Sequence, residues 1–369
     1  MQGRILIISN VTAGLASFRT ELIEQLAKEY EVIVLASDNG RKEILENAGA
    51  SVIPVSMELH GTNPVREIRL VSLYKKIIGE IQPQVILTYT IKPNIYAGIA
   101  AGQLGIPVLA NVTGLGTAVE NKGLLQRITI PLYRQGLKKA RKVFFQNKSN
   151  RDFMLEHHIV RNDQYLMIPG SGVNLNKYAL QPYPKTDTVD FVFISRVVKE
   201  KGIDQYLEVA KIIRQKHPET RFHICGGCVE SYRGIIQQLN DAGIIIYHGR
   251  IDDIAGMHRQ CACTIHPSYY PEGMSNVLLE ACACGRPIIT TDRPGCREAV
   301  EDGVNGFIVK QKDSQDLKDK VETFLKMTWE QRRTMGIEAR KKVEKEFDRQ
   351  IVVDKYIDEI RKAVNYHGL

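Results

Sequence analysis

The stretch from His266 to Gly295 places the strongest constraint on the fold, because it reads as strand, turn, helix and strand. Ser275 and Asn276 are residue types that favour helix N-caps, and Gly285 predicts where that helix ends. The apolar run Ile288–Thr291 then predicts the returning strand. A helix that joins two buried strands in this way predicts a βαβ unit, and therefore a parallel sheet covered by helices.

Two carboxylates flank the turn of this unit. Glu272 lies before the predicted helix and Glu280 about one turn into it, with seven residues between them. Backbone N–H groups at the helix start are expected to face the same space, with the positive end of the helix dipole behind them: those of Gly273, Met274, Ser275 and Asn276. This arrangement predicts an anion-binding corner beside two acceptors for sugar hydroxyls. An ordinary βα turn with two surface glutamates is the alternative interpretation.

The same alternation of strands and helices runs through the rest of the 369-residue chain, which is long enough for two domains. A segment rich in Pro and Gly, residues 169–184, predicts the boundary between them. We therefore predict two doubly wound, parallel-sheet α/β domains, residues 1–180 and 181–348. The last helix, within residues 349–369, is expected to cross back to the first domain.

Two local expectations concern turns in the first domain. After the first strand we expect a turn from Asn10 to Ser17, carrying Gly14, before a helix from Phe18 to Glu29. After the fourth strand, Gln84–Thr88, we expect a turn from Ile91 to Asn94, a segment that contains Pro93.

The composition is that of a globular protein with a large core, since 43 % of the residues are apolar. No apolar run is long enough to span a bilayer and the N-terminus has no signal-peptide pattern, so we expect a cytoplasmic protein. The seven cysteines include one CxxC pair, Cys225 and Cys228, with no second pair to complete a zinc site. Reduced, mostly buried thiols are therefore favoured over a metal site or disulfides.

The net charge of +8 is concentrated in the first half of the chain. Residues 1–180 hold 21 Lys and Arg against 14 Asp and Glu, and the segment Lys122–Arg151 holds nine basic residues and no acidic one. Apolar residues recur in it at roughly helical spacing: Leu124, Leu125, Ile128, Leu132 and Leu137. Such a helix is expected to rest on anionic lipid. A solvated face is the alternative, while binding of nucleic acid is disfavoured because aromatic residues are sparse and no nucleic-acid motif is present.

A second charged motif, Ser195–Gly202, follows a predicted strand and precedes a predicted helix. This places it at the carboxyl edge of the sheet, where α/β proteins bind ligands. Arg196 and Lys201 are suited to bind a diphosphate. Arg196 can do so through a bidentate guanidinium and Lys201 through a single ammonium charge. A solvated basic turn is the alternative.

Together, these motifs resemble the retaining glycosyltransferases of family 4, which have the GT-B fold of two Rossmann-like domains facing a central cleft. The densest similarity lies in FISRVVKEKGI, YYPEGMSNVLLEACACGRPIITTDRPGCREAV and DGVNGFIV. In the first half, YTIKPNIYAG and NVTGLGTA resemble transferases that extend undecaprenyl-diphosphate-linked sugars in bacterial surface-glycan assembly. The resemblance covers nearly the whole chain. It implies transfer of a hexose, expected to be an N-acetylamino sugar on UDP, to a lipid-linked saccharide.

The resemblance also implies roles for individual residues. Arg196 and Lys201 match the diphosphate-binding pair, with Glu272 facing the transferred sugar and Glu280 holding the ribose. Further donor-binding positions are the backbone of Gly273 to Asn276, Gly14 in the first βα turn, and Arg250 and Ile251 beside the base. At Gly14 the sequence reads Ala13-Gly14 where many members have two glycines, which weakens that assignment.

The chemistry fits these residue types, because a leaving nucleotide diphosphate needs fixed positive charge where negative charge develops. Arg and Lys supply it without a metal, and no Asp-x-Asp pair is present. We therefore expect no metal and no other cofactor. The family retains anomeric configuration by front-face attack, so we assign no enzymic nucleophile.

On the acceptor side, the resemblance points to residues that face the acceptor or the sugar: Ile91, Lys92, Asn94, Thr113 and Gly114. Many relatives carry a His at the slot of Ile91, near the sugar 6-hydroxyl. An apolar residue there is expected either to serve packing or to suit a 6-deoxy-N-acetylamino sugar.

Two other classes of function share this architecture or this site. A sugar-nucleotide 2-epimerase would release free nucleotide without a lipid acceptor, and a nucleotide-sugar-binding regulator would use the donor site without turnover. Incubation with nucleotide sugars, with and without polyprenyl-linked acceptor, separates all three.

Overall fold

The computed structural model describes residues 3–55, 64–120 and 123–366. Lys122, at the start of the basic segment, lies outside these residues, as does the end of the last segment, 367–369. The chain divides into two compact units: unit 1 is Met1–Ser171 with Gln350–Leu369, and unit 2 is Gly172–Arg349. Each unit is built on its own parallel sheet, so the predicted α/β class with two doubly wound sheets is confirmed.

The sheet of unit 1 has seven strands among the described residues, in the order β3-β2-β1-β4-β5-β6-β7. In chain order they are β1 Arg4–Val11, β2 Glu31–Ser37, β3 Ala50–Pro54, β4 Val85–Tyr89, β5 Val108–Val112, β6 Lys142–Phe145 and β7 Tyr165–Met167. Strands at the centre of a parallel sheet are covered on both faces and read as continuous apolar runs. Ile5, Leu6, Ile7 and Ile8 of β1 are accordingly all fully buried.

Helices cover both faces of this sheet. They are α1 Thr12–Phe18, α2 Thr20–Leu26, α3 Lys42–Asn47, α4 Pro64–Ile81, α5 Gly98–Leu104, α6 Thr117–Glu120, α7 Leu124–Leu137 and α8 Lys148–Glu156, with a π-helical turn Pro93–Ala97 before α5. One apolar core lies under α4, α5 and α7, and the other lies under α1 to α3.

Unit 2 repeats the plan with a six-stranded sheet in the order β10-β9-β8-β11-β12-β13. The strands are β8 Val189–Ile194, β9 Thr220–Cys225, β10 Ile246–Gly249, β11 Cys263–His266, β12 Ile288–Thr291 and β13 Gly306–Val309. The helices are α9 Ile203–Lys216, α10 Glu230–Asp241, α11 Ile254–Gln260, α12 Asn276–Ala283, α13 Ser314–Lys326 and α14 Trp329–Glu346. The βαβ unit expected between His266 and Gly295 is β11-α12-β12, with Gly285 in the left-handed conformation after the helix.

The last helix, α15 Arg349–Tyr366, belongs to unit 1 although it follows unit 2 in the chain. Val352, Tyr356 and Ile360 are buried in the same core as β1 and β2. Unit 2 begins at Gly172, before the boundary that the sequence placed after residue 180. The reason is packing, since Val173 and Tyr178 are buried against α12 and α14.

The turn expected from Asn10 to Ser17 is wrong, because α1 begins directly after β1. The side chain of Asn39, beyond β2, accepts hydrogen bonds from Thr12 Oγ1 (2.8 Å) and from the backbone N–H of Ala13 (3.0 Å). A residue distant in the sequence therefore supplies the partner that a local turn was expected to supply. Gly14 is an exposed residue inside this helix, with no atom within 4 Å of a Cβ built on it.

The turn expected from Ile91 to Asn94 is also wrong, because the backbone there is already helical. The N–H of Asn94 donates to the carbonyl of Thr90 (3.1 Å), and Pro93 occupies the first position of the π-helical turn. Proline is tolerated at that position because its missing N–H has no helical partner to lose.

Candidate functional site

The predicted donor-binding residues of unit 2 follow the carboxyl ends of neighbouring parallel strands. The predicted segments 195–202 and 267–275 come directly after β8 and β11, and 249–251 begins at the last residue of β10; segment 226–228, to which no donor-binding role was assigned, follows β9. Since these strands are parallel and adjacent, their carboxyl ends meet at one edge of the sheet. The topology thus assembles the segments that sequence motifs had singled out separately.

The first and last of these segments are held together by their backbones. The N–H of Tyr269 donates to the carbonyl of Glu200 (2.9 Å). Gly202 adopts φ of +77°, and a Cβ there would collide with the carbonyl oxygen of Pro267. Only glycine combines this backbone angle with so close an approach, so Gly202 keeps the Lys201 segment against the Glu272 turn.

Backbone contacts also fix the loop that carries Arg196. The N–H of Val197 donates to the carbonyl of Gly227 (2.9 Å), and a Cβ on Gly226 would collide with the carbonyl oxygen of Ser195. Val197 is fully buried, whereas Arg196 is exposed. The loop is therefore anchored by its apolar residue, with the guanidinium on the solvent side.

The segment predicted to lie beside the base is joined to the same loops. Gly226 N–H donates to the carbonyl of Gly249 (2.7 Å). A Cβ built on Gly227 would lie 3.0 Å from Nε of Arg250, so the exposed Arg250 side chain covers this glycine. Ile251 packs against the small apolar cluster around α11.

Lys201 and Glu272, predicted to act on opposite parts of the donor, form an ion pair between Nζ and Oε1. Both side chains are largely buried, 13 % and 17 % exposed, and Nζ lies 4.8 Å from the ring centre of Tyr270. Restricted solvent strengthens such a pair compared with one at the surface. The interpretation of Glu272 as a plain surface carboxylate is excluded by this geometry.

The backbone N–H groups expected to bind an anion are only partly available. The N–H of Ser275, the residue before α12, donates to the carbonyl of Gly295 (2.7 Å), so its assignment as an anion donor is wrong in this arrangement. Met274 is buried in the core beneath α12. Asn276 is the first residue of α12, and its Oδ1 is buried without a partner among the described residues. Gly273 is also buried.

Glu280 lies in α12 and is half-buried. Burial raises the pKa of this carboxyl to about 7, against the opposing effects of the nearby Tyr178 hydroxyl and of the charges of Lys177 and Arg349. A carboxyl with this pKa changes charge near neutral pH, which is unusual for a glutamate and common at functional sites.

Two residues of this site escaped the sequence analysis. His266, at the end of β11, is buried with neither ring nitrogen paired among the described residues; burial first, and then Lys201, hold its pKa far below the usual range. The His266 ring is therefore neutral and adds no positive charge near Lys201. The position of His266 directly after an apolar run was a usable signal. Nothing in the sequence linked Tyr178 to Glu280.

In unit 1, the residues expected to face acceptor or sugar have mixed positions. Asn94 is fully buried: its Oδ1 accepts from Thr88 Oγ1 (2.7 Å), and its Nδ2 donates to the carbonyl of Asn111 (2.8 Å) and to the Tyr133 hydroxyl (3.0 Å). Its assignment as sugar-facing is therefore wrong, because every polar atom of the amide is committed to the core.

The other four residues lie closer to solvent. Lys92 forms an ion pair with Glu67 (3.0 Å). Ile91 packs on the apolar core and lies beside Gly116, which favours the packing interpretation of this position. Thr113 and Gly114 are half-buried just after β5.

A cavity of about 550 Å³ lies in unit 1 beside the start of α7. It is lined by Glu120, Gly123, Leu124, Gln126, Arg127, Phe153 and His157. None of these positions was assigned a binding role individually, although four of them fall in the predicted basic segment.

All seven cysteines are free and six of them are buried, as expected for reduced thiols. Within the described ranges, no group of three or more His, Cys, Asp or Glu side chains is placed to hold a metal ion. In the same ranges, no helix combines the length and apolarity needed to cross a membrane.

Two family models match the chain, one in each half. Residues 180–342 match the model for glycosyl transferases group 1, and residues 4–147 match the model described as glycosyl transferase 4-like.

Two curated relatives match over most of their own length. The N,N'-diacetylbacillosaminyl-diphospho-undecaprenol alpha-1,3-N-acetylgalactosaminyltransferase of Campylobacter jejuni is 27 % identical over 340 residues, covering 87 % of this chain and 89 % of that protein. The capsular polysaccharide biosynthesis glycosyltransferase CapM of Staphylococcus aureus is 22 % identical over 367 residues, covering 95 % and 94 %.

The fold is shared with solved structures across the whole chain. The crystal structure of Anabaena Alr3699/HepE in complex with UDP and glucose superimposes with a TM-score of 0.80 at 19 % identity, covering 98 % of this chain and all of that one. A glycosyltransferase from Rickettsia africae superimposes equally well, at 17 % identity. The two family matches and the shared two-sheet architecture together place this chain among the glycosyltransferases with the GT-B fold.

Proposed function

We propose that this chain transfers an N-acetylamino hexose, with retention of anomeric configuration, from a UDP-linked donor to a polyprenyl-diphosphate-linked saccharide in the synthesis of a cell-surface polysaccharide. The observation that carries the proposal is the carboxyl edge of the unit 2 sheet. There Glu272, ion-paired to Lys201, lies in the turn before α12, and the half-buried Glu280 lies in that helix.

In this proposal Glu280 accepts hydrogen bonds from the donor ribose, and Arg196 and Lys201 bind the diphosphate. A diphosphate that reaches Lys201 has to share the Lys201 ammonium group with Glu272, or displace the Glu272 carboxylate from it. Binding of the donor is therefore coupled to the position of Glu272, the residue proposed to face the transferred sugar. Charge that develops on the leaving diphosphate then meets cations already in place.

The nucleotide and the acceptor are supported by relatives. UDP is bound in the Anabaena structure of the same fold. The Campylobacter relative, matched over nearly its whole length, is named for an undecaprenol-diphosphate-linked acceptor and an N-acetylgalactosaminyl group. The packed position of Ile91 gives no support for a 6-deoxy sugar in particular.

We further propose that α7 of unit 1 rests on an anionic membrane surface. Leu124, Leu125 and Ile128 are 76 %, 44 % and 49 % exposed, an unusual cluster for a soluble helix. Arg127 and Lys138 on the same helix segment are also exposed. Exposed apolar side chains among cations suit the boundary between lipid headgroups and acyl chains, where the acceptor diphosphate lies.

The proposal is tested by offering the purified protein UDP-N-acetylgalactosamine, UDP-N-acetylglucosamine and UDP-glucose, each with and without an undecaprenyl-diphosphate-linked saccharide. We expect the acceptor mass to rise by one N-acetylhexosamine residue with a single donor, and the new linkage to have the anomeric configuration of that donor by NMR. Conversion of the donor without acceptor would instead indicate a 2-epimerase. Binding of UDP-sugars without turnover on any acceptor would indicate a regulator.

A further inference from the structure

A chain of side-chain hydrogen bonds runs across three neighbouring strands of the unit 2 sheet, and no role has been assigned to it. It leads from Asp190 in β8 through His223 in β9 to His248 in β10. We propose that His223 and His248 are positioning residues, which hold the base-binding segment 249–251 in place and release it when both rings are protonated. This inference rests on the proposed function, which puts that segment in the donor site.

The three side chains are joined at hydrogen-bonding distances. Nε2 of His223 lies 3.2 Å from Oδ1 of Asp190, and Nδ1 of His223 lies 2.9 Å from Nε2 of His248. The hydroxyl of Thr188 donates to the other carboxylate oxygen of Asp190 (3.0 Å). His223 is 8 % exposed, whereas His248 is exposed. The inner ring is therefore fixed on both sides, and the outer ring is open to solvent.

The ionisation of Asp190 sets the direction of these hydrogen bonds. Burial opposes that ionisation, but hydrogen bonds from His223 and Thr188 hold the pKa of the Asp190 carboxyl below its usual range. An ionised carboxylate can only accept, so Nε2 of His223 donates to it. In a neutral imidazole the second nitrogen carries no hydrogen. Nδ1 of His223 therefore accepts from the Nε2–H of His248.

His248 occupies an irregular position in its strand. Tyr247 pairs with Ile224 and Gly249 pairs with Cys225, so β10 has one residue more than β9 at this place, as in a β-bulge. Bulges redirect the chain and are frequent beside active sites. The backbone turns at the next residue, Gly249, which has a left-handed φ of +65°. The His248 ring thus links the start of the base-binding segment to the neighbouring strand.

The number of protons on the two rings decides whether this link persists. One added proton leaves the hydrogen bond intact, because the protonated ring donates and the neutral ring accepts. With a second proton both facing nitrogens carry hydrogen, and the two positive rings repel each other. Burial, and then the charge of His223, hold the pKa of His248 below its usual range. The link is therefore present above about pH 6.5, the usual range of histidine, and is lost as the pH falls well below it.

Two further charged or titratable groups lie beside this cluster. Nε of Arg221, in β9, lies 3.8 Å from Oδ1 of Asp190 and stays charged. The thiol of Cys261, directly after α11, is near enough to Asp190 to be affected by its charge. Burial raises the pKa of this thiol, so it stays neutral. The response of the cluster to mild acid therefore comes from its two imidazole rings.

The test compares the parent with His248→Gln and His248→Ala. A glutamine amide does not titrate, and it can donate to the neutral His223 ring or, when rotated, accept from the protonated one. Hydrogen exchange of the peptide covering residues 246–252 reports on the segment without any donor. At about pH 8 we expect equal exchange in the parent and His248→Gln, and at about pH 5 faster exchange in the parent. His248→Ala should exchange faster than His248→Gln at both pH values.

Affinity for UDP-N-acetylgalactosamine is measured at the same two pH values. This donor is used because the terminal phosphate of free UDP itself takes up a proton in this range. Glu280 also titrates there, so the parent is compared with His248→Gln at each pH. The two should bind equally at the higher pH. At the lower pH the parent should bind about threefold more weakly, because a released segment has to be ordered again on binding.

His217→Gln is the matched control, because His217 is another half-buried histidine of unit 2, paired with Glu219 (3.3 Å). It should follow the parent in both measurements. Equal exchange, or equal affinity, of the parent and His248→Gln at the lower pH would overturn the inference. Exchange as expected but no binding of any UDP-sugar, even by the parent, would instead remove the proposed donor site. The two failures are distinguishable because the exchange measurement needs no donor.

Discussion

The carboxyl edges of the two sheets differ in what they present. In unit 2 this edge carries charged side chains on loops that backbone hydrogen bonds hold together, with Lys201 paired to Glu272 and a half-buried Glu280 in the following helix. At the corresponding edge of unit 1, after β4, Asn94 is buried in the core and Ile91 packs against that core. A cluster of exposed apolar residues of unit 1, Leu124, Leu125 and Ile128, lies instead on α7 beside the exposed Arg127.

The difference separates two ways of recognising a substrate. A charged site with fixed geometry selects a small, polar donor by hydrogen bonds and ion pairs. An amphipathic helix face selects a surface, and its strength depends on area and salt. Each change described below affects one of these two kinds of recognition and leaves the other in place.

Loss of the Glu272 charge is expected to have the largest effect. Glu272→Gln should lower kcat by about 100-fold or more, because it removes the charge of a group proposed to face the reacting sugar while most donor contacts remain. Steady-state kinetics with the preferred donor measure this, with Glu200→Gln as a control at an exposed carboxylate of the neighbouring loop. A variant that lost donor affinity but kept its kcat would assign Glu272 to binding.

Donor affinity is expected to depend on Glu280 and Arg196. Glu280→Ala should cost about 2–4 kcal/mol of donor binding, since the two hydrogen bonds proposed between its carboxylate and the ribose would be lost, and Arg196→Ala should cost less because its side chain is exposed. Calorimetric titration with UDP measures both. Arg233→Ala, at an exposed ion pair on α10, should match the parent. Unchanged affinity in both site variants would contradict the proposed site.

Loss of Asn94 is expected to affect stability and not sugar choice. Asn94→Ala removes three buried hydrogen bonds and leaves Thr88 and Tyr133 without this partner, which should cost about 2–4 kcal/mol of unfolding free energy. Chemical denaturation measures the loss, and the donor preference of the surviving folded protein should be unchanged. A shifted donor preference with unchanged stability would restore Asn94 to the sugar site.

Membrane attachment is expected to depend on α7. Among the cations of the basic segment, Arg134, Lys139 and Lys142 donate to backbone carbonyls of unit 1. Reversing them would disturb the fold. Arg127→Glu with Lys138→Glu is the cleaner change, and it should cost about 1 kcal/mol per charge removed near the surface, roughly doubled by reversal.

Sedimentation with phosphatidylglycerol vesicles measures this binding, which should also disappear at high salt. Lys341→Glu with Lys345→Glu, exposed on α14, changes the net charge equally and should bind as the parent does. Activity on a short water-soluble acceptor should survive in both. Equal vesicle binding by both pairs of variants would make α7 a solvated face.

The smallest expected effect is that of chelation. Turnover should be the same in EDTA as in magnesium or manganese, because Arg196 and Lys201 are proposed to supply the positive charge. Activity lost in EDTA and restored by either ion would contradict the proposal.

The fold and the donor loops could be predicted because their signals are local. Strand and helix periodicity gave the α/β class, and the Glu272 and Lys201 motifs stood directly after apolar runs. The predictions that proved wrong concerned places where the structure is set by contacts between residues far apart in the sequence. The side chain of Asn39, beyond β2, accepts the N–H of Ala13 at the start of α1, and the carbonyl of Gly295 accepts the N–H of Ser275.

The return of α15 to unit 1 bears on how the chain acquires its structure during synthesis. Domains fold as units, the N-terminal one first as the chain emerges, yet the core of unit 1 lacks Val352, Tyr356 and Ile360 until the last segment is made. Unit 2 is complete in sequence before that happens. Unit 1 of the nascent protein therefore lacks part of its core while unit 2 is being translated. A premature stop codon within α15 would destabilise unit 1, although most of unit 1 is translated first.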